Sequence, residues 1–121
     1  MSKDKGAWGE EVARKQLEQE GIVILETNWR VGHLEVDLVA REGDVLVFVE
    51  VKLRKWDGAL EALHSLKEEQ IDRLARAAFC YMVENEYEGE VRFDLVAITY
   101  YDKKNYKTHH VRDAFFPGSI L

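Results

Sequence analysis

The chain has 121 residues, 46% of them hydrophobic and 33% charged, which is typical of one soluble globular domain spanning residues 1–121. No apolar run approaches the ~20 residues that a membrane-spanning helix needs, and the N-terminus carries no hydrophobic signal segment. The single cysteine, Cys80, cannot form an internal disulfide, which fits a reducing compartment. We therefore expect a cytoplasmic protein with no membrane partner.

The net charge of −6 disfavours an extended basic surface for nucleic acid. The charge is uneven along the chain, however. Residues 57–90 contain nine acids and three bases, whereas residues 99–112 contain four bases and one acid. A molecule with such a distribution still offers phosphates a neutral or basic face.

The hydrophobic pattern predicts a helix, three strands, a second helix and two strands, in that order. Their expected bounds are 7–20, 22–29, 34–40, 45–52, 65–85, 91–98 and 106–111, with 53–64 irregular. The first helix ends before Gly21, and the second begins at the capping-box pattern Ser65-Leu66-Lys67-Glu68 and includes Phe79 among its apolar positions. This order predicts an α/β fold around a mixed sheet.

Two of these apolar strands carry charged residues. Glu35 and Asp37 share one face of the first hairpin strand, and Glu50 and Lys52 share one face of the second. Isolated charges among buried apolar residues cost free energy, and a divalent cation offsets that cost for carboxylates. The hairpin is therefore a candidate metal site.

The register of this hairpin decides whether the acids meet. We expect a two-residue loop at 42–43, which sets Asp37 opposite Phe48 and one diagonal step from Glu50 on the same face. A three-residue loop without a bulge would instead place Asp37 and Glu50 on opposite faces and break the site.

If the faces agree, Asp37 and Glu50 supply the hard oxygen ligands that Mg²⁺ or Mn²⁺ prefers. The ammonium group of Lys52 then holds an attacking water and offsets developing negative charge. An Asp followed by Glu-x-Lys is the minimal set for metal-assisted cleavage of a phosphodiester. From these strands alone, an ordinary ion pair between Glu50 and Lys52 on an exposed strand stays an open alternative.

Other polar residues have two readings. Arg54 and Lys55, followed by Trp56, suit a strand end that grips a phosphate backbone and stacks a base, or a solvated loop. Without further information, we interpret Glu10, Lys67 and Gln70 as solvent-exposed residues of the two helices. We interpret Lys103, Lys104 and Lys107 as an ordinary charged turn. His109 and His110 are adjacent on a strand, so their side chains point to opposite faces and are not expected to share a metal.

Taken together, these residues resemble the PD-(D/E)xK, or restriction-endonuclease-like, nucleases. More closely, the chain is similar to the YraN-like family of small bacterial proteins, which are predicted endonucleases similar to archaeal Holliday-junction resolvases. The resemblance covers nearly the whole chain. It rests on Gly9-Glu10-Glu11-x-Ala13, Asn28-Trp29-Arg30, Glu35–Ala40, Val47–Lys52 with Arg54, Lys67, Ala77-Ala78, Arg92-Phe93-Asp94 and Ala114-Phe115.

The resemblance implies a restriction-endonuclease-like αβββαβ core, a mixed central sheet flanked by helices. It also implies that Glu10 reaches the cleft from the first helix and joins Asp37 and Glu50 as a metal ligand, with all three and Lys52 catalytic. Gln70 or Lys67 would approach from the second helix. The nucleic-acid-binding residues expected are Arg54, Lys55, Gln70 and Lys67.

On this basis we expect a Mg²⁺- or Mn²⁺-dependent DNA endonuclease, with branched DNA as a candidate substrate. By analogy with the resolvases, which cut symmetrically, a homodimer is a candidate state. The alternative is a catalytically inactive nuclease-fold module that binds nucleic acid or a partner protein. RNA is a third, weaker candidate substrate.

Overall fold

The computed structural model describes residues 3–56 and 68–114, with side chains from residue 6 onward. The elements within these residues are α1 (Lys3–Gln19), β1 (Val23–Val31), β2 (Leu34–Glu42), β3 (Val45–Lys55), α2 (Glu68–Glu84), β4 (Val91–Asp102) and β5 (Asn105–Val111). The expected order of helices and strands is confirmed. Neither described helix is long and apolar enough to cross a lipid bilayer.

The five strands form one sheet in the order β1-β2-β3-β4-β5. β3 and β4 are parallel, and the other neighbouring pairs are antiparallel. Parallel neighbours need a long crossover connection, and α2 lies in that connection. The mixed sheet with its two helices confirms the α/β expectation and is consistent with an αβββαβ core.

Alternation along β3 divides the core into two layers. Val47, Val49 and Leu53 pack with apolar residues of α1 on one face of the sheet. Leu46 and Phe48 pack with apolar residues of α2 on the other. Because both faces of β3 are covered, this strand is the buried centre of the molecule.

Two expectations about the elements are wrong. Residues 53–55 are not irregular, because Leu53, Arg54 and Lys55 continue β3 and pair with β4, which supplies parallel backbone partners. α1 begins at Lys3, four residues earlier than expected. Phe79 lies on α2 as expected, and its side chain is 51% exposed. The capping-box residues 65–67 lie outside the described part of the chain.

The hairpin register also differs from expectation. The loop is 43–44, so Glu42 pairs with Val45 and Val39, not Asp37, pairs with Phe48. Gly43 has a φ of 60°, a left-handed conformation that glycine adopts at little cost, and this fixes the turn one residue later. The register slides by two residues, and a slide of two keeps each side chain on its face.

A buried charge network joins β4 and β5 to the end of α1. Asp94 is fully buried and accepts hydrogen bonds from Arg92, at 2.8 and 2.9 Å, and from the backbone N–H of Asp113, at 3.0 Å. The two ring nitrogens of His110 lie 2.7 Å from Asp94 and 2.8 Å from Glu20. Ionised carboxylates only accept, so this geometry suits an imidazolium that donates from both nitrogens.

The same network shifts the pKa values of its members. Burial by itself would lower the pKa of His110, but the hydrogen bonds to Asp94 and Glu20 raise it above its usual value. Burial would raise the pKa of Asp94, but hydrogen bonds from His110 and Arg92 lower it. The negative charges of Asp94 and Glu20 and the positive charges of His110 and Arg92 therefore compensate one another.

The raised pKa of His110 makes part of the stability pH-dependent. Its contribution is fully present below the unfolded pKa of about 6.5 and is lost as pH rises through the higher folded value. We expect His110→Gln to lower the free energy of unfolding by about 2 kcal/mol at pH 6 and by less at pH 9. Urea denaturation of both proteins at the two pH values measures this, and an equal loss at both would contradict the protonated network.

Candidate metal centre

The candidate site lies where β2 and β3 separate. Their backbone pairing ends at Leu38 and Val49; beyond that point β2 continues beside β1 alone, and β3 beside β4 alone. The backbone N–H of Val51, which has lost its strand partner, donates to Oδ2 of Asp37 at 2.8 Å. A side chain thus replaces the ladder at this point, and a gap opens between the two strands.

An irregularity in β1 faces this gap. Asn28 has a φ of 50°, and it falls opposite Asp37, between the paired residues on either side. Val36 packs in the α2 layer whereas Leu38 packs in the α1 layer, although residues two apart in a regular strand share a face. β2 therefore changes faces at Asp37. Asparagine tolerates the left-handed conformation that this distortion needs.

Glu10 reaches the gap from α1. The side-chain amide of Asn28 donates to Oε1 of Glu10 at 2.8 Å, so the distorted residue of β1 also positions this carboxylate. Gly9, the preceding residue, is buried against β3; a Cβ built there would be 3.7 Å from Leu53. The helix consequently lies close enough to the sheet for Glu10 to extend toward Asp37.

The carboxylates converge. One oxygen each from Glu10, Glu35 and Asp37 lies within 4.8 Å of the other two. Burial and the negative charge of the neighbouring Glu50 raise the pKa of Asp37 to about 8, and Glu10 and Glu35 add to the rise. The hydrogen bond from the backbone N–H of Val51 lowers this pKa, but by less. Burial also raises the pKa of Glu50, against the opposing effect of Lys52. Repulsion among these acids favours a proton or a cation between them.

Two cavities meet at these acids. The cavity on the α1 side has a volume of about 170 Å³, and Gly9, Glu10 and Val51 contribute to its wall. The cavity on the α2 side has a volume of about 200 Å³ and is lined by residues that include His33, Glu35, Gln70 and Arg73. Asp37 and Glu50 line both. These two residues therefore lie between the two cavities, which together are called the cleft below.

Lys52 lies beside Glu50, with Nζ 3.9 Å from Oε1. Only 13% of the Lys52 side chain and 23% of the Glu50 side chain are exposed. This burial disfavours the alternative of an ordinary ion pair on an exposed strand, because a solvated pair would keep both groups in water.

The structure thus brings Glu10, Asp37, Glu50 and Lys52 into one region. Gln70 lines the α2-side cavity, and Lys67 lies outside the described residues. The other two nucleic-acid candidates lie farther along β3: Arg54, which donates to the carbonyl of Leu53 at 2.9 Å, and the exposed Lys55.

Sequence reasoning missed three residues of the cleft. The sequence predicted that Glu35 shares a strand face with Asp37, but Glu35 was not predicted to be a metal ligand. The signal was present, because side chains two residues apart on a strand lie next to each other on the same face. Arg73 follows Gln70 by three residues, the spacing of one helix face. Asn28 belongs to the family resemblance, but no sequence pattern indicated its role, because that role depends on a distortion that appears only when β1 and β2 pair.

Residues 9–98 match the uncharacterised protein family UPF0102. The chain belongs to this family. A UPF0102 protein of Flavobacterium psychrophilum is 35% identical over 113 residues, covering 93% of this chain and 94% of the relative. A UPF0102 protein of Rhodococcus opacus is 42% identical over 113 residues, covering 91% and 94%. Membership confirms the resemblance to the YraN-like family, and the matched range includes every cleft residue described above.

The raised pKa of Asp37 makes this UPF0102 protein less stable at high pH. The folded protein holds a proton up to about pH 8 that the unfolded chain loses near pH 4, so stability falls as pH rises between these values, by at most about 1.4 kcal/mol per unit. Asp37→Asn keeps an acceptor for Val51 and removes the charge. We expect this variant to match the wild type at pH 5 and to be more stable at pH 9.

Thermal unfolding followed by circular dichroism in EDTA, from pH 5 to 9, measures this difference. Asp44→Asn is the matched control, since Asp44 is an exposed acid of the β2–β3 turn, and its removal should leave the pH profile unchanged. A wild type more stable than Asp37→Asn at pH 9 would contradict the buried, mutually repelling acids.

Proposed function

We propose that this UPF0102 protein is a metal-dependent DNA endonuclease that hydrolyses phosphodiester bonds at the cleft between β2 and β3. One observation carries the proposal. Carboxylates from α1 and β2 converge to within 4.8 Å of one another, next to Glu50 and the largely buried Lys52 of β3. Stability alone does not explain such a cluster, because like charges are held together at a point where the sheet is interrupted.

The donor set fits a hard divalent cation. Glu10, Glu35 and Asp37 offer carboxylate oxygens only, which suits Mg²⁺ or Mn²⁺ better than the nitrogen- and sulfur-preferring Zn²⁺. The elevated pKa of Asp37 reflects uncompensated negative charge, which a cation would neutralise. Glu50, which lines both cavities of the cleft, is a further ligand candidate.

Each group then has a role in hydrolysis. Glu10, Glu35 and Asp37 would hold the cation, with Glu50 as an additional ligand. When bound, such a cation polarises a phosphoryl oxygen and acidifies a nearby water. Lys52, oriented by Glu50, donates hydrogen bonds to the attacking water and balances negative charge that develops on the phosphate. Asn28 is a positioning residue, because it acts through Glu10.

The α2 side of the cleft suits a phosphate. Arg73 lines this cavity, and its positive charge acts on Glu50. Gln70 lines the same wall. Guanidinium groups bind phosphate oxygens well, so Arg73 offers a phosphodiester a cationic contact in the same cavity as the acids. The choice of DNA, of branched DNA as the substrate and of a homodimer as the working state rests on the family resemblance.

A catalytically inactive nuclease-fold module is the second candidate. The acidic segment 57–90 and the overall net charge of −6 favour it, since strong binding to nucleic acid usually needs a basic surface. The two candidates share the cation site and differ in whether the bond is cut.

Metal binding is the first test. We expect Mn²⁺ titrated calorimetrically into the wild type to bind at one or two sites, and Asp37→Asn to lose that binding because it removes the central charged ligand. Glu35→Gln and Glu50→Gln separate the contributions of these two acids. Asp44→Asn should bind as the wild type does. Equal Mn²⁺ binding by wild type and Asp37→Asn would rule out the site.

Cleavage is the second test. We expect Lys52→Ala to lower the cleavage rate by about 10²–10⁴-fold while Mn²⁺ binding and thermal stability stay close to wild type, because the lysine acts on the water and the phosphate. Supercoiled plasmid, single-stranded DNA, a four-way junction and an RNA hairpin form the substrate panel. Lys15→Ala, an exposed lysine of α1, is the control.

The outcomes separate the two candidates. Cleavage by wild type and its loss in Lys52→Ala would support the nuclease. Mn²⁺ binding by wild type without cleavage of any substrate would support the inactive module, and undiminished cleavage by Lys52→Ala would remove the assigned role of this lysine.

A further inference from the structure

A second surface lies beyond the cleft, where β3 and β4 end. Three large aromatic side chains are exposed there, with Trp56 at 55%, Tyr101 at 65% and Tyr106 at 42% exposure. Together with Lys104 and Lys107 they line an open cavity with a volume of about 820 Å³. These five residues are called the aromatic platform below. Clustered exposed aromatics usually mark an interaction site.

The platform is ordered by its own packing. The rings of Trp56 and Tyr101 are stacked, with centroids 5.3 Å apart and planes at 21°. Tyr106 meets Trp8 of α1 edge to face, with centroids 5.1 Å apart and planes at 87°. These contacts fix flat rings at the surface before any ligand arrives, so little conformational entropy is lost when a ligand stacks on them.

The charge of the platform is opposite to that of the whole chain. Segment 99–112 has four bases and one acid in a protein of net charge −6. That acid, Asp102, accepts hydrogen bonds from the backbone of Lys104 at 2.8 Å and of Asn105 at 2.9 Å, so the β4–β5 turn occupies its carboxylate. Within the described part of the chain, Lys104 and Lys107 form no ion pair. Their ammonium groups are available to an anion.

The platform is connected to the cleft by β3. Glu50, Lys52 and Arg54 alternate onto one face of this strand, and Trp56 follows at its end. Four residues of strand separate Lys52 from Trp56, which is about 13 Å at ~3.3 Å per residue. Across the sheet, Arg54 pairs with Thr99, and Thr99 pairs with Lys107. Cationic side chains thus continue from the cleft toward the platform.

We propose that the aromatic platform binds an unpaired stretch of a nucleic-acid strand, with bases stacked on Trp56 and Tyr101 and phosphates at Lys104 and Lys107. In a duplex the base faces are covered by their neighbours, so exposed aromatic rings favour unpaired nucleotides. The position of this stretch a few nucleotides from the cut rests on the proposed nuclease function. The binding itself does not.

The test measures binding without cleavage. Fluorescence anisotropy in EDTA compares a labelled 12-nucleotide oligothymidine with a 12-base-pair duplex of mixed sequence. We expect wild type to bind the single strand at least ~10-fold more tightly than the duplex. Trp56→Ala and Tyr101→Ala should each weaken single-strand binding by about 10-fold, Trp56→Phe should restore most of it, and duplex binding should stay unchanged.

Matched controls isolate the platform. Phe79→Ala removes an aromatic that is 51% exposed on α2, and it should bind as the wild type does. Lys104→Gln with Lys107→Gln should weaken binding and lower its salt dependence by about 1.4 in log–log slope, the value for two phosphate contacts on a single strand. Lys15→Gln should not.

The outcomes are decisive. Equal affinity of wild type, Trp56→Ala and Tyr101→Ala for the single strand would overturn the proposal, as would equal affinity for single strand and duplex. Self-association of the wild type that Trp56→Ala abolishes, seen by sedimentation, would show a second copy on the platform and also overturn it. Because EDTA removes any need for cleavage, a protein that binds but never cuts would retain the platform and lose only the nuclease.

Discussion

Where β2 and β3 separate, a backbone N–H of β3 would be left without a partner, and the carboxylate of Asp37 accepts it at 2.8 Å. Unsatisfied backbone groups are costly in a protein interior, so two strands rarely part there unless a side chain replaces the ladder. The replacement is an acid, which means that the opening and its negative charge arise together. Glu10 from α1 and the Gln70–Arg73 face of α2 lie on the two sides of that opening. Local strand geometry, more than helix packing, therefore creates the cleft.

The fully buried Asp94 and the half-buried Asp37 show how surroundings decide the role of a carboxyl group. Asp94 is enclosed by Arg92, His110 and a backbone N–H, and its pKa is lowered despite burial. Asp37 has one N–H and is otherwise surrounded by other acids, and its pKa is raised to about 8. The first arrangement compensates a charge and joins the end of α1 to the sheet. The second leaves negative charge uncompensated, which lowers stability as the pH rises and is typical of a site that binds a ligand.

The order of elements followed from hydrophobic periodicity, because strands and helices of this length give clear patterns, as in Val45–Val51 with its alternate packing into two layers. The proximity of Asp37 and Glu50 also followed, because a two-residue error in register still left both at the open end of the hairpin, where they line the same cavities. The end of β3 did not follow, because residues 53–55 are strand only through their pairing with β4. Nor did the distortion at Asn28, which depends on the packing of two strands and has no local sequence signal.

The distribution of charge along the fold determines how a polyanion would approach. The first turn of α2 carries Glu68 and Glu69, and acidic residues lie at its other end and beyond, in 84–90, so both ends of α2 would repel a strand of nucleic acid. Arg73, between these ends, lines the cleft and offers a cationic contact there. From the cleft, the path of least repulsion follows β3 past Lys52 and Arg54 to the β4–β5 turn, where lysines and aromatic rings are exposed. A net charge of −6 is therefore compatible with the proposed nucleic-acid substrate, provided that the substrate follows this path. Short-range contacts along this path, and not long-range attraction, would have to supply the affinity.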